Sequence, residues 1–137
     1  MTANNPSSDG RSPFSGVMAA VLSDHAILRH LAIGAIKRPG YSADNTMSLA
    51  DAMTRHESAE TRLFAHPFLT RPPKTVTSTA ARARRRCLEF TSGNSHLPDP
   101  GAAAALFVDA LLAHLAAEEA WLEHEQEHQN ERLLIHA

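Results

Sequence analysis

Apolar positions recur at helical spacing in four stretches of the chain, separated by residues that favour turns. The first stretch runs from about Pro13 to Lys37, carries Val17, Val21, Leu28, Leu31 and Ala35 on its stripe, and ends at Pro39-Gly40. The second runs from about Thr46 to Ala65, with Leu49, Ala52, Met53, Leu63 and Phe64 on one face and Thr46 or Asn45 as the expected N-cap. Pro67 and Pro72-Pro73 close it. The third, about Thr75 to Phe90, carries Val76, Ala80, Ala83, Cys87 and Phe90; Ser92-Gly93-Asn94 and Pro98-Asp99-Pro100-Gly101 break the chain after it. The fourth and longest, about Ala102 to Leu134, is striped by Leu106, Phe107, Ala110, Leu111, Leu115, Trp121 and Leu122. No stretch alternates with period two, and aromatic and β-branched residues are few, so strands are not expected. The pattern predicts an all-α, antiparallel, up-down-up-down four-helix bundle over residues 13–137. Residues 1–12, with almost nothing to bury, read as a disordered tail.

Polar residues interrupt three of the four stripes. On the first helix His25 lies among Val21, Leu28 and Ala32. On the second, His56 and Glu60 are four apart between Met53 and Leu63; on the fourth, His114 and Glu118 are four apart between Leu111 and Trp121. Such spacing puts both side chains of a pair on one helix face. The two pairs also belong to a longer duplication at a constant offset of 58 positions, in which Asp51-Ala52-Met53 matches Asp109-Ala110-Leu111, Leu63-Phe64 matches Trp121-Leu122, and His66 matches His124. Two helical hairpins related by a pseudo-twofold axis are expected from it.

Imidazoles and carboxylates aimed at one apolar core are costly unless they share a solution. A divalent or trivalent metal supplies one, since imidazole nitrogen and carboxylate oxygen suit iron, manganese or zinc. His25, His56, Glu60, His114 and Glu118 are therefore the expected metal ligands.

Composition narrows the alternatives. The 137 residues carry nine histidines, one cysteine and a formal net charge of −2. The length suits one domain, and a lone cysteine excludes a disulfide framework or a Cys-based zinc ribbon and fits a reducing, cytoplasmic compartment. The charge argues against a nucleic-acid partner. No uninterrupted apolar run reaches the length of a membrane span, so no membrane partner is expected. A homodimer is left open. No nucleotide motif and no nucleophile with a base is evident, so catalysis is not the expectation. His56-Glu57-x-x-Glu60 is close to the zincin pattern, but its second histidine is replaced by Glu60 and that reading leaves His114 and Glu118 unexplained. Ferritin-like proteins use Glu-x-x-His, which is not the order found here. His30 is expected to face solvent, His66 to sit at a helix end with His124 in the matching place of the duplication, and Glu123–Glu131 to form a solvated extension containing His124 and His128.

The segment His56-Glu57-Ser58-Ala59-Glu60-Thr61-Arg62-Leu63-Phe64, the second His114-x3-Glu118 and the Asp24-His25 pair together resemble the hemerythrin-like (HHE cation-binding) family. The resemblance spans roughly residues 15–130. It implies a four-helix bundle with a non-haem di-iron site that binds or senses dioxygen or nitric oxide, or handles iron. It further implies that His25, His56 and His114 are terminal ligands and that Glu60 and Glu118 bridge the metals. The third helix departs from the pattern: it carries no histidine, and Arg82 or Ala83 falls where a ligand belongs. Three alternatives follow: a mononuclear site; a substitute ligand from Cys87, His96 or a neighbouring subunit; or a metal-free bundle serving as an interaction or regulatory module. An arginine pairing with the two glutamates is a further way to replace the missing cation. The cluster Arg82, Arg84, Arg85 and Arg86 is otherwise expected to pair with the acidic segment Glu118–Glu131, within the chain or across a dimer.

Overall fold

The computed structural model describes residues 13–37, 40–65, 69–93 and 99–135. Four helices account for nearly all of them: α1 (Pro13–Ala35), α2 (Ala43–Phe64), α3 (Lys74–Ser92) and α4 (Pro100–Ile135). The chain is all-α, as its periodicity predicts. One small exception follows α1, where Ile36–Lys37 and Gly40–Tyr41 form a two-residue antiparallel pair in the register Ile36 to Tyr41. Residues 1–12, expected to be a tail, lie outside the described residues, as do His66, His96 and His136.

Local chemistry sets the helix ends. The start of α2 lies three residues earlier than its apolar pattern suggests, and its cap is Ser42, whose hydroxyl accepts the Asn45 backbone N–H at 3.2 Å. Thr46, an expected cap, is instead inside the first turn, fully buried, and donates its hydroxyl to the Ser42 carbonyl at 2.7 Å. Asn45 reaches back to α1, donating to the Gly34 carbonyl at 2.8 Å. Helix α3 stops at Gly93, whose φ of 70° lies in the left-handed region that glycine enters without a Cβ clash. At the head of α4, Asp99 Oδ1 accepts the Ala102 N–H at 2.7 Å and Pro100 occupies the first helical position, where its missing N–H costs nothing.

Side-chain pairs fix the helix directions. Asn45 on Gly34 and His56 on Asp24 run α2 antiparallel to α1. Ser15 with Gln126 and His25 with Glu118 run α4 antiparallel to α1. Thr79 with His114 and Phe90 with Phe107 do the same for α3 and α4. Packing is closest between α1 and α2 and between α3 and α4, while α2 and α3 touch only sparsely.

The apolar core is divided into two parts along the helix axes. One cluster gathers Leu28, Leu49, Met53, Ala83, Cys87, Phe107, Leu111 and Leu115; the other gathers Phe14, Val21, Leu63, Val76, Trp121 and Leu122. In each helix the break between clusters falls at one level: His25 in α1, His56 and Glu60 in α2, Thr79 and Ala80 in α3, His114 and Glu118 in α4. A polar layer thus lies between two apolar ones.

At 36 residues α4 is far longer than its 19- to 23-residue partners. Its end is mostly exposed, including His124 and His128, as expected of the charged run. Glu125 is the correction. It is buried, and its Oε1 accepts from Trp121 Nε1 at 3.2 Å and from the Thr70 hydroxyl. By length and composition α1 over residues 14–35 and α4 over residues 100–132 could each cross a membrane, although neither is an unbroken apolar run. Core helices meet the same measure.

Candidate metal centre

All five expected ligands are buried, and the fold brings all five together. His25 Nε2 lies 2.9 Å from Glu118 Oε1. His56 Nε2 lies 2.7 Å from Glu60 Oε1 and 3.6 Å from Glu118 Oε1. His114 Nε2 lies 3.0 Å from Glu60 Oε1 and 3.5 Å from Glu118 Oε2. The two helical hairpins thereby cross: each His-x3-Glu pair meets its own glutamate and the other's. The duplication at offset 58 therefore has a spatial counterpart. The His25 and His56 rings also meet edge to face, with centroids 4.9 Å apart.

Three imidazoles present Nε2 to the centre, and each has its Nδ1 engaged elsewhere. His25 Nδ1 meets Glu119 Oε2 at 2.6 Å, His56 Nδ1 meets Asp24 Oδ2 at 2.9 Å, and His114 Nδ1 meets the Thr79 hydroxyl at 3.1 Å. Arg29 holds Glu119 through two bonds of 2.5 and 2.9 Å, the fork geometry that fixes a carboxylate in place. A carboxylate on Nδ1 keeps a proton there and turns the Nε2 lone pair inward, the orientation a metal ligand needs. Asp24, Arg29, Thr79 and Glu119 were not legible as parts of the site. The adjacency of Asp24 to His25 and of Glu119 to Glu118 was the available signal, but each serves a histidine on another helix.

The electrostatics follow from burial and pairing. Burial alone disfavours the charged imidazole, yet the carboxylates of Glu118 and Glu60, with Asp24 for His56, outweigh it. They raise His56 to about 10 and His114 to about 9. For Glu118 burial opposes ionisation, but His114, His25 and His56 hold its carboxyl well below the usual carboxylate range. Glu119 is lowered too, with Arg29 and His25 overcoming its partial burial.

The donor set fits a metal. Two groups of ligand atoms lie within 4.8 Å of one another, His25–His56–Glu118 and Glu60–His114–Glu118, all from buried residues, and Glu118 belongs to both. Two buried atoms of this layer, His56 Nε2 and Glu118 Oε2, have no hydrogen-bond partner among the described residues. His56 Nε2 is close to Glu60 but out of line for a hydrogen bond. Unpaired polar atoms in a core are rare and call for an explanation such as an ion.

Helix α3 adds no ligand from its described residues. It turns Val76, Ala80, Ala83 and Cys87 inward at helical spacing, which sends Arg82, Arg84 and Arg85 outward. Among the described residues, no arginine of α3 pairs with Glu60 or Glu118. Within the chain Arg84 pairs with Glu57 at 3.2 Å and Arg86 with Glu89 at 2.9 Å, and neither takes the expected intramolecular pairing with the acidic end of α4. Cys87 packs in the apolar cluster, and burial, with Glu57 and Asp51 nearby, pushes its thiol up to about 11, far from a ligating thiolate. His96 lies outside the described residues. In place of a ligand, Ala80 and Ala83 border a cavity of about 10 Å3 beside His56, Glu60 and His114.

The fold and site define an all-α protein of four helices whose buried His/Glu layer could hold a metal ion. Compared with family models, curated proteins and solved structures, the chain matches none.

Proposed function

We propose that this protein is a hemerythrin-like four-helix bundle that binds non-haem iron in its polar layer, to bind or sense dioxygen or nitric oxide or to handle iron. The observation carrying this reading is the convergence of three Nε2 atoms on two buried glutamates, with Glu118 common to both ligand groups. Shared carboxylates suit a pair of ions. His25, His56 and Glu118 would hold one, and Glu60, His114 and Glu118 the other. Iron, when bound, supplies the coordination position for a diatomic molecule. The chain's own residues do the rest. The two apolar clusters exclude water, Asp24 and Glu119 orient the imidazoles, and Arg29 anchors Glu119. Zinc or manganese would fit the same donors.

Metal analysis of protein purified without chelator, followed by anaerobic iron reconstitution, tests the reading. About two equivalents are expected, one per ligand group; less than about a tenth of an equivalent would sink it. The double substitution His56→Ala with Glu60→Ala should remove most of the bound metal. A second reading, a metal-free bundle acting as an interaction or regulatory module, draws on the same contacts, because a protonated His114 can pair with both Glu60 and Glu118. The same assay decides between the two.

Glu119→Gln separates orientation from ligation. It keeps the shape at His25 Nδ1 but removes the charge that fixes the imidazole. The expected result is metal affinity about 10- to 100-fold weaker with full metal content at saturation. Unchanged affinity in a competition titration with a chromogenic chelator would show that Glu119 serves Arg29 alone.

A further inference from the structure

We propose that α4 carries a second metal site outside the buried layer, where His124 and His128 hold a divalent ion of the zinc class over an open cleft, with the carboxylate of Glu125 beside it. The site uses none of the layer's ligands, so it stands or falls apart from the reading above.

Residues 124–128 read His-Glu-Gln-Glu-His, the full H-E-x-x-H pattern of which residues 56–60 carry only the first part. The pattern has a physical basis. Residues four apart on a helix lie one turn apart on the same face, with Cβ atoms about 5–6 Å from each other. One ion with Zn–N bonds of about 2.0–2.1 Å can join two imidazoles at that spacing. Here the whole segment lies within α4, and both histidines are exposed, so neither has to be desolvated before it meets an ion.

The two histidines border a cleft of about 680 Å3 between α4 and the segment 70–75. Trp121, His124, Glu125 and His128 line its α4 wall, at the spacing of one helix face. Glu125 is the feature that the layer leaves unexplained. It is buried, yet its described partners are neutral, Trp121 Nε1 and the Thr70 hydroxyl, and both bonds fall on Oε1. They fix the carboxylate and leave Oε2 for the cleft that Glu125 borders. Arg71, on the opposite wall, is exposed and forms no described ion pair with it. A buried carboxylate is costly without a cation to pair with. An ion on His124 and His128 would set that charge within a turn of helix from Glu125, whose carboxylate would accept from the ion's water.

The donors also select the metal. Imidazole nitrogen suits zinc, copper and nickel, and affinity for such donors rises from ferrous iron toward copper. His124 and His128 belong to no described group of three donors, so water fills the remaining positions and the ion exchanges with solvent. Ferrous iron is the poorest fit in this series, and the iron count expected of the layer is unaffected.

Trp121 is the chain's only tryptophan and borders the same cleft, so its fluorescence reports on the site. Titration of the full chain with nickel(II) should quench that emission saturably, and added zinc should restore it by displacing the nickel. His124→Ala with His128→Ala should weaken nickel binding about tenfold or more, equivalent to ~1.4 kcal/mol. Both side chains are exposed, so the helical circular dichroism of this variant should match wild type. Glu125→Gln removes the charge beside the ion and should weaken nickel binding about tenfold. His56→Ala with Glu60→Ala should leave the quenching in place. Equal nickel affinity in wild type and in the folded His124/His128 double variant would overturn the proposal, and so would quenching that disappears with the layer's ligands instead. Unchanged affinity in Glu125→Gln would remove that carboxylate from the site.

Discussion

Glu118→Gln should empty both metal positions at once, the largest effect expected of any single substitution in this chain. Glu118 is fully buried, and its carboxylate is the one group shared by the two sets of ligand atoms. Its Oε1 lies 2.9 Å from His25 Nε2, and its Oε2 lies 3.5 Å from His114 Nε2. Glutamine keeps the volume, so the apolar clusters on either side need not repack. What would be lost is the negative charge and one of the two oxygens able to hold a cation. Glu60→Gln is the informative comparison, because Glu60 belongs to only one group and the set His25–His56–Glu118 survives it. Metal content should therefore fall further in the Glu118 variant than in the Glu60 variant. Equal loss in both would mean a single ion held by all five residues, and retention of both ions in Glu118→Gln would refute the ligand assignment.

The same substitution should also weaken the metal-free fold. Removing one member of a buried, paired set leaves its partners uncompensated, at a cost of about 3–5 kcal/mol. Here the partners include His56 and His114, which would have to share Glu60 and Asp24 or lose their protons. For a domain of this size that corresponds to a fall in Tm on the order of 10 °C. Thermal unfolding with chelator present measures it. A Tm unchanged by Glu118→Gln would show that the histidines are neutral and satisfied without the glutamate.

What the sequence reveals about the site, and what it conceals, has a physical pattern. His56, Glu60, His114 and Glu118 stand out because each pair sits four apart on an otherwise apolar stripe, so local periodicity alone marks them as inward-facing. His25 is legible for the same reason. The residues that orient them are not. Asp24 and Glu119 lie beside the stripe on their own helices and become part of the layer only when a second helix brings an imidazole to them. Thr79 resembles any helical threonine until α4 places His114 Nδ1 at 3.1 Å. Glu125 was masked by its charged neighbours, although Trp121 four residues earlier offered an indole N–H in need of an acceptor. The helix caps show the converse problem. Ser42, Asn45 and Thr46 are all good cap residues, and only the backbone path decides that Ser42 takes the role while the other two turn to α1 and to the core. The sparse contact between α2 and α3 is likewise a property of size. Small residues along α3, notably Ala80 and Ala83, are compatible with close or loose packing, and sequence spacing does not distinguish them.

The metal-free protein should be most stable at mildly acidic pH and lose stability steadily as pH rises past neutrality. In the folded state His56 titrates at about 10 and His114 at about 9, against an ordinary histidine value of 6.5. Between those values the native state binds more protons than the unfolded chain, so stability falls with rising pH. Their contribution is complete below 6.5 and gone above about 10. Glu118 works in the other direction. Its folded value lies below the ordinary 4.5, so what it contributes is present above 4.5 and is lost as pH falls below it. The two limits define a plateau between about 4.5 and 6.5 for the metal-free state. A metal ion reverses the alkaline limb. When bound it would take the deprotonated Nε2 atoms, so its uptake would release the protons held by His56 and His114, and its affinity would climb with pH through the range where those protons otherwise stay bound. Loaded protein should therefore gain stability over the metal-free form most strongly at about pH 8–9. Thermal unfolding from about pH 4 to about pH 10, with and without iron, checks both limbs. Calorimetry in buffers of different ionisation enthalpy counts the protons released. A metal-free Tm that rises between neutrality and pH 9, or metal uptake that releases no protons, would show that the imidazoles are neutral before any ion arrives.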